Sequence, residues 1–281
     1  MPSALLRSCR RLPGRFAVAH RSLGTSTTAS ATAAPQPPPE KKLLILGGTG
    51  FVGSRIASLA LADGWKVTSL SRRGTPADGS LPAVDWRCGD ATEPDAARFI
   101  LEEGGYNAVV HAIGLLFEGD ANKYVSGSGS VPSAGSTYDK VTRQTAQEAI
   151  SAAAELCAPG PAGGPPAFLF CSAAEAGWTF TAPVGWLERY LVAKRAVEAS
   201  LLAESRLRGI ILRPSLVYSL DRPLALPSVA AFYAANAIGL PFVDRPVSVD
   251  TLAAAAVRTI GDPSVAGVQR YPQMEALAKM K

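Results

Sequence analysis

The sequence feature that most constrains the fold is residues 41–53, KKLLILGGTGFVG, where an apolar run leads directly into closely spaced glycines. The apolar run predicts a short buried strand, and the residues from Phe51 onward predict a helix. In such a corner Gly47 forms the tight turn, Gly50 lets backbone N–H groups approach a pyrophosphate, and Gly53 lets the helix pack on the strand. The segment predicts the first turn of a nucleotide-binding α/β domain, with a corner that binds no ligand as the alternative.

Apolar and helical segments alternate along the rest of the chain. Further strands are predicted at residues 66–70, 84–88, 108–111, 167–171 and 209–213. Helices are predicted at about 51–62, 94–103, 138–156, 186–204 and 248–260. This alternation predicts an α/β fold with a doubly wound parallel sheet, helices on both faces and ligands beyond the carboxyl ends of the strands.

The residues after the second predicted strand bear on the choice of dinucleotide. In NAD-binding members of such folds, an acidic residue near this point accepts hydrogen bonds from the ribose 2′-hydroxyl. This chain has Ser71, Arg72 and Arg73 instead. A hydroxyl and two guanidinium groups suit a 2′-phosphate, which arginine can bind through two hydrogen bonds. The sequence therefore predicts a preference for NADP(H), with NAD(H) binding or a solvated turn that binds nothing as alternatives.

Two residues on the long predicted helix at 186–204 favour redox chemistry. Tyr190 and Lys194 are four residues apart and so share one helix face, and Ser172 follows the preceding strand. A phenol is a poor base until a nearby ammonium group lowers its pKa. These residues predict proton exchange by Tyr190, binding of the substrate oxygen by Ser172, and a Lys194 that also contacts the cofactor ribose. The alternative is an ordinary amphipathic helix with a half-buried tyrosine and a solvated lysine.

The first 39 residues differ in composition from the rest of the chain. They contain five arginines, many small and hydroxyl residues and no acidic residue, which is typical of an organelle transit peptide. We expect residues 1–30 to be a mitochondrial transit peptide and residues 31–39 a disordered linker, with a disordered basic tail as the alternative. The remaining chain has equal numbers of basic and acidic residues. It therefore has no overall basic field that would predict nucleic-acid binding.

Five further features complete the domain organisation. Residues 40–270 are expected to form the nucleotide-binding domain, with a small substrate or partner region at about 214–262 and a tail at 271–281. The glycine- and serine-rich residues 119–137 predict either a substrate lid or a disordered insertion. Residues 224–243 are apolar but interrupted by proline, which argues against a transmembrane helix and favours a pocket or partner surface.

Only two histidines are present, and one of them lies in the predicted presequence. A histidine-based metal site is therefore not expected, and no metal ligand is predicted. The other, His111, ends a predicted strand. We interpret it as a structural or cofactor-facing imidazole, with a catalytic base as the less favoured alternative.

Several motifs in order, GGTGFVG, Gly89-Asp90, HAIG, Ser172, Tyr190-xxx-Lys194 and RPSLVY, resemble those of the extended and atypical short-chain dehydrogenase/reductases, which have the Rossmann fold. The resemblance extends over about residues 41–260. It is strongest toward two mitochondrial branches, the dehydrogenase-like proteins of the coenzyme Q biosynthetic complex and the NADPH-binding accessory subunits of respiratory complex I. The insertion and the short C-terminal region favour the first branch.

The resemblance implies a cofactor site and a reductase triad. It places the glycines of the turn at the pyrophosphate, Arg72 at the 2′-phosphate, Asp90 near the adenine and Ala112 near the adenosine. The triad is Ser172, Tyr190 and Lys194. The full set of implied cofactor contacts is Gly47, Gly48, Thr49, Gly50, Phe51, Val52, Gly53, Ser71, Arg72, Arg73, Asp90, Ala91, His111, Ala112, Ile113, Gly114 and Lys194.

The resemblance also implies a biological role. It points to ubiquinone biosynthesis in the mitochondrial matrix, with a prenylated quinone-type substrate, a mitochondrial protein complex as partner and at most peripheral contact with the inner membrane. The alternative is a subunit that binds NADPH for stability and assembly rather than turnover. Three departures from the family pattern bear on catalysis: the Ser172-to-Tyr190 spacing, Ser219 in place of the usual glycine after the RPSLVY motif, and Thr142 and Gln144 near the position of a usual asparagine.

Overall fold

The computed structural model describes residues 40–76, 78–115, 135–221, 226–239 and 244–280. The predicted presequence and linker, and residues 119–134 of the predicted insertion, lie outside these residues.

A parallel sheet forms the centre of the described part of the chain. Its seven strands follow the order β3-β2-β1-β4-β5-β6-β9. They are β1 Lys42–Leu46, β2 Lys66–Ser71, β3 Asp85–Cys88, β4 Ala108–His111, β5 Ala167–Cys171, β6 Arg208–Leu212 and β9 Gly267–Gln269. Two short strands, β7 Val217–Tyr218 and β8 Val247–Ser248, form a separate parallel pair. Strand β1 pairs with β2 on one side and with β4 on the other, so the chain reverses its direction of winding between β1 and β4. A crevice at this switch point is where ligands bind in sheets of this kind.

The helices cover both faces of the sheet. They are α1 Phe51–Ala62, α2 Ala96–Leu101, α3 Thr145–Leu156, α4 Gly185–Ala203, α5 Leu226–Ala237, α6 Val249–Gly261 and α7 Tyr271–Lys279. A π-helical stretch, Asp139–Gln144, continues directly into α3, and a 3₁₀ turn, Ala174–Gly177, follows β5.

The core consists of two layers because successive strand residues point to opposite faces. In β1, Leu43 and Ile45 pack into one cluster, which includes residues of α1, α6 and α7. Leu44 and Leu46 pack into the other cluster, which includes residues of α2, α3 and α4. All four side chains are fully buried. A strand buried on both faces reads as a continuous apolar run, which explains why β1 was recognisable in the sequence.

The predicted doubly wound parallel sheet is confirmed. Strands β4 and β5 have the predicted bounds. The other predicted strands and long helices agree to within about two residues, when the π-helical stretch before α3 is counted with that helix. The C-terminal end differs from expectation, because residues 271–281, expected as a tail, contain α7, and β9 precedes it. Met274 and Leu277 are buried in the cluster that contains α6. The helix presents only these few apolar residues, too few to mark it clearly in the sequence.

We find no helix among the described residues that is both long enough and apolar enough to cross a membrane.

Candidate functional site

The glycine turn leads from β1 into α1 at the switch point of the sheet. Gly47 has a φ of +92°, a conformation that side chains disfavour, and its amide donates to the Leu70 carbonyl of β2 at 2.9 Å. The Gly50 amide donates back to the Gly47 carbonyl at 3.0 Å and closes the turn. Gly50 is the N-cap of α1, and no side chain among the described residues caps the helix there. The first turn of α1 contains no acidic residue. A helix N-terminus of this kind attracts anions.

Two positions in the turn have no room for any side chain. A Cβ at Gly48 would lie 2.2 Å from Ser69 Oγ on β2. A Cβ at Gly53 would lie 2.3 Å from the Gly47 carbonyl oxygen. Gly53 therefore allows α1 to pack directly on the backbone of the turn, and Gly48 allows the turn to pack against the Ser69 side chain of β2. Thr49 and the two residues that begin α1, Phe51 and Val52, are half-buried beside them.

The ends of β2 and β3 flank the turn on one side. Arg72 and Arg73 are exposed just after β2, and Ser71 Oγ donates to the Gly74 carbonyl at 3.0 Å. After β3, one carboxylate oxygen of Asp90 accepts from both the amide and the hydroxyl of Thr92, each at 2.9 Å. Ala91, between these two, is half-buried. This carboxylate therefore stabilises its own loop in addition to any role toward an adenine.

The end of β4 packs against the turn from the other side. A Cβ on Gly47 would meet Ile113 Cγ1 at 3.0 Å and the Ala112 carbonyl oxygen at 3.2 Å. A Cβ on Gly114 would lie 3.8 Å from Lys194 Nζ. The segment from Ala112 to Gly114 thus forms a continuous link between the glycine turn and the candidate catalytic lysine.

His111 is buried beneath this link. Its Nε2 lies 2.9 Å from Thr145 Oγ1, and its ring packs against Phe170 with centroids 5.6 Å apart. Burial lowers the pKa of His111 to about 3, and the neighbouring Lys194 charge acts in the same direction. The imidazole is therefore neutral at physiological pH. This position agrees with a structural or cofactor-facing group, and a base with so low a pKa would be weak.

Lys194 on α4 reaches the carboxyl end of β5. Its Nζ donates to the Cys171 carbonyl at 2.6 Å and lies 4.7 Å from the Phe170 ring centroid. The side chain is 3% exposed, so the predicted alternative of a solvated lysine is wrong. Burial lowers the pKa of Lys194 to about 8, whereas Cys171 and Glu198 favour the charged form. Ser172, the residue after Cys171, is also buried, and its Oγ has no hydrogen-bond partner among the described residues.

Tyr190 lies one helical turn before Lys194, whose Nζ is 5.6 Å from the centroid of the phenol ring. The ring also meets Tyr138 edge to face at a centroid distance of 5.6 Å. Burial raises the pKa of Tyr190 above the ordinary value of a phenol, and Glu175 and Tyr138 act in the same direction. The sequence-based expectation that Lys194 lowers this pKa is therefore wrong in direction. Desolvation is the largest cause of the raised pKa, and the Lys194 ammonium is directed to the Cys171 carbonyl.

An ion pair that the sequence did not reveal fixes α4 to the end of β6. Arg213 donates to Glu198 from Nε at 3.0 Å and from Nη2 at 2.5 Å, and the Glu198 side chain is only 5% exposed. Glu198 lies one turn beyond Lys194 on the helix. The partners are 15 residues apart in different elements, so no helix or strand periodicity links them in the sequence. The RPSLVY motif singled out Arg213 in the sequence, but only the tertiary structure identifies Glu198 as its partner.

The described residues contain no cluster of three or more histidine, cysteine, aspartate or glutamate side chains suited to a metal ion. The candidate site is therefore built from backbone amides, a buried lysine, a phenol and a hydroxyl.

Sequence comparisons relate the chain to nucleotide-binding proteins. A sequence model of the family described as NAD(P)H-binding matches residues 47–263. An uncharacterized chloroplastic protein of Arabidopsis thaliana is 29% identical over 262 residues, which cover 85% of this chain and 78% of that protein. MIOREX complex component 2 of Saccharomyces cerevisiae is 31% identical over 109 residues, which cover 36% of each chain.

Comparison with solved structures supports the same fold. A short-chain dehydrogenase/reductase from Serratia marcescens has a TM-score of 0.59 at 14% identity, covering 84% of this chain and 98% of that one. The Bordetella bronchiseptica enzyme WbmH, solved with NAD+, has a TM-score of 0.56 at 19% identity, covering 83% and 75%. ElxO, solved with NADP bound, has a TM-score of 0.57 at 13% identity, covering 82% and 96%. At these identities the likeness concerns the fold.

Proposed function

The chain belongs to the NAD(P)H-binding family, and from that membership we propose that it is a mitochondrial NADP(H)-dependent oxidoreductase of the short-chain dehydrogenase/reductase type. The observation that carries the proposal is the glycine turn. A Cβ at Gly53 would meet the Gly47 backbone, a Cβ at Gly48 would meet the Ser69 side chain, and the turn ends at the N-terminus of α1, which no side chain among the described residues caps. This arrangement suits a pyrophosphate that approaches the backbone directly.

The residues around the turn fit the two ends of a dinucleotide. We assign the pyrophosphate to the turn and the adenosine to the ends of β2 and β3, near Asp90. The nicotinamide end lies toward the ends of β4 and β5, where Gly114 approaches Lys194. The orphaned buried hydroxyl of Ser172 supports a ligand at this end, because a buried polar group without a partner is costly.

The preference for NADP(H) rests on Arg72 and Arg73. Both are exposed after β2, where the 2′ position of the adenosine ribose lies in folds of this type. An acidic residue at this point would repel a 2′-phosphate, whereas arginine can bind one with two hydrogen bonds.

The side chains of the triad would then perform the protein's part of carbonyl reduction. Bound NADPH would supply a hydride to the carbonyl carbon. Tyr190, whose raised pKa keeps the phenol protonated, donates its proton to the substrate oxygen, and Ser172 donates a hydrogen bond to the same atom. Buried Lys194 holds a positive charge next to the phenol and stabilises the phenolate that proton transfer leaves. One hydride and one proton together convert the carbonyl to an alcohol.

The substrate and compartment follow from the family resemblance and from the N-terminal composition. We assign a prenylated quinone-type substrate in ubiquinone biosynthesis, with residues 1–30 as a mitochondrial transit peptide and residues 40–270 as the working domain. A chloroplastic relative supports an organellar location in general.

A second candidate function is a non-catalytic subunit in which the nucleotide stabilises the fold and its assembly. The observation that favours it is similarity to a protein named as a component of the MIOREX complex. In that case the partner is a protein complex such as the coenzyme Q synthesis complex or respiratory complex I, and Tyr190 serves packing alone.

Nucleotide-dependent thermal stability tests the cofactor part of the proposal. The measurement compares NADPH with NADH on the protein beginning at Ala31, in wild type and Arg72→Ala, with exposed Arg206→Ala as the matched control. A ligand at about 100 times its dissociation constant should add about 2.7 kcal/mol of stability. We expect NADPH to stabilise wild type and the control more than NADH does, and Arg72→Ala to lose that difference. The assignment is contradicted if NADPH and NADH stabilise wild type equally, if neither stabilises it, or if Arg72→Ala keeps the wild-type difference.

Turnover separates the two candidate functions. A wild-type protein that is stabilised by NADPH and oxidises it in the presence of a quinone, with loss of activity in Tyr190→Phe, supports the enzyme. A protein that retains stoichiometric NADPH through purification and does not oxidise it with any quinone tested supports the subunit.

A further inference from the structure

Arg245, two residues before β8, is an exposed cation held in place by two aromatic rings. Its guanidinium carbon lies over the Tyr233 ring of α5, 5.4 Å from the centroid, and over the Tyr271 ring of α7, 5.2 Å from the centroid. Attraction between a cation and an aromatic ring stabilises such an arrangement. A hydrogen bond with the Tyr233 side chain is the largest cause that raises the pKa of Arg245, so the guanidinium stays charged. A side chain held in this way loses less conformational entropy when it binds a ligand.

No acidic side chain among the described residues forms an ion pair with this cation. Asp244, the residue before it, accepts two hydrogen bonds from Arg270 Nη2, at 2.7 and 2.8 Å. Glu275, whose charge also raises the pKa of Arg245, is paired with Lys279 at 3.2 Å. A guanidinium has five N–H donors in a planar fork that matches a carboxylate or a phosphate. Arg245 therefore offers donors to an oxyanion from outside the chain.

Backbone hydrogen bonds connect the segment of Arg245 to the end of β5. The Ala174 amide, two residues after Ser172, donates to the Pro214 carbonyl at 2.8 Å. Strand β7, which follows Pro214, pairs with β8, and β8 begins two residues after Arg245. Neighbouring strands are only about 4.8 Å apart. The cation therefore lies at the same end of the sheet as the triad.

Electrostatic effects on buried groups indicate the same proximity. Burial raises the pKa of Glu175, in the turn after β5, and the charge of Asp244 adds to that rise. Burial also raises the pKa of Tyr190, and there the charge of Glu175 adds to the rise. The interaction between two charges weakens with distance. Asp244, the neighbour of Arg245, therefore lies in one region with Glu175 and Tyr190.

Two buried hydroxyls in this region lack hydrogen-bond partners. They belong to Ser172 and to Ser215, the residue after Pro214, and neither Oγ has a partner among the described residues. An unpaired buried polar group costs about 1–3 kcal/mol. A bound ligand with several oxygen atoms would remove that cost. The hydroxyls therefore favour a polar ligand in the region that joins β5 to the β7–β8 pair.

We propose that Arg245 binds an oxyanion of the substrate, a carboxylate or a phosphate, while Ser172 and Tyr190 contact the carbonyl that is reduced. The inference rests on the proposed function, because it adds a charge requirement to the same site. A neutral substrate leaves the guanidinium donors to water, whereas an anionic one pairs with them and is oriented by that pair. The substrate class is therefore a carbonyl compound that carries an acidic group.

Anion binding to the 281-residue chain tests the proposal without requiring turnover, by isothermal titration calorimetry at saturating NADPH. The probes are benzoate, phenyl phosphate and benzamide, a neutral analogue of benzoate. The variants are Arg245→Gln and Arg245→Met, whose apolar chain still packs between the two rings. The control is Arg206→Gln, which removes another exposed arginine. A thermal melt of each sample shows that it is folded.

We expect wild type and Arg206→Gln to bind at least one of the two anions and not to bind benzamide. Both Arg245 variants should bind that anion about tenfold more weakly or worse, the effect of losing a hydrogen bond to a charged group. Tighter binding of benzoate assigns the site to a carboxylate, and tighter binding of phenyl phosphate assigns it to a phosphate.

Several results would overturn the proposal. They are the absence of anion binding in wild type, equal binding of benzamide, and wild-type affinity in a folded Arg245 variant. Weaker NADPH binding in the Arg245 variants would assign the guanidinium to a cofactor phosphate instead. If NADPH does not stabilise the protein, the proposed function fails, and the Arg245 dependence of anion binding without nucleotide still decides the role of this arginine.

Discussion

The glycine turn and helix α4 occupy neighbouring parts of one site but are built in opposite ways. The turn is made of backbone, and its shape follows from residues that lack side chains and lie within seven positions of one another. Helix α4 works through side chains, and two of its charged groups are held by partners outside the helix. Lys194 bonds to β5, and Glu198 bonds to the residue after β6. Contacts between residues close in the sequence therefore shape the turn. Buried charges that pair with residues outside the helix shape the part of the site on α4.

The largest effect is expected from the ion pair that holds α4. Glu198→Ala leaves the half-buried Arg213 guanidinium without its partner, so we expect a loss of about 3 kcal/mol in the free energy of unfolding, the low end for a buried pair. Denaturant unfolding measures it. Arg206→Ala serves as the control, because the Arg206 side chain is 56% exposed and its ion pair with Glu204 should contribute little. Equal effects of the two substitutions would mean that burial does not distinguish α4 in the way proposed.

The turn should be sensitive to a single methyl group. Gly53→Ala places a Cβ 2.3 Å from a backbone oxygen, where no side chain can move aside. We expect it to destabilise the protein by about 3 kcal/mol and to weaken NADPH binding. Gly261→Ala, where the same group meets nothing within 4 Å, should be nearly neutral in the same unfolding and binding measurements. A stable Gly53→Ala that binds nucleotide normally would show that the turn is less tightly packed than described.

Kinetic effects separate the two regions. Tyr190→Phe removes the proton donor and leaves the turn intact, so we expect turnover with quinone to fall by about a hundredfold or more, equivalent to about 2.7 kcal/mol in the barrier. Dissociation constants for NADPH should not change. Lowered NADPH affinity with unchanged turnover would reverse the roles assigned to the two regions.

His111 lies between the two regions, because β4 pairs with both β1 and β5. Its pKa is lowered from about 6.5 to about 3, so the unfolded chain binds more protons between these values. The stability that His111 contributes by being buried in its neutral form is complete above pH 6.5. It is lost as the pH falls toward 3. We expect a loss on the order of 2 kcal/mol between pH 7 and pH 5.

The protein beginning at Ala31 suits this measurement, because it contains no other histidine. Denaturant unfolding at a series of pH values should show a smaller slope for His111→Gln than for wild type. The same slope in both proteins would assign the acid sensitivity to carboxyl groups.

The fold was largely predictable because its main signals are local. The apolar runs of the central strands and the glycine spacing after β1 mark elements whose bounds the structure confirms closely. The C-terminal strand and helix were not predictable, because β9 is three residues long and α7 buries only two side chains. Their formation depends on a sheet edge and on helix α6, which exist only in the folded protein.

Sequence patterns were enough to predict strands β1 to β6, the parallel sheet and the placement of Ser172, Tyr190 and Lys194 near one edge of it. Apolar periodicity and glycine spacing are sufficient for this prediction, because each reflects interactions between residues a few positions apart. The tertiary structure alone decided the protonation of the site. It buried Lys194 beside the half-buried Tyr190, directed the ammonium toward the Cys171 carbonyl and raised the pKa of the phenol. Desolvation depends on every neighbouring group at once, so no spacing along the chain encodes it.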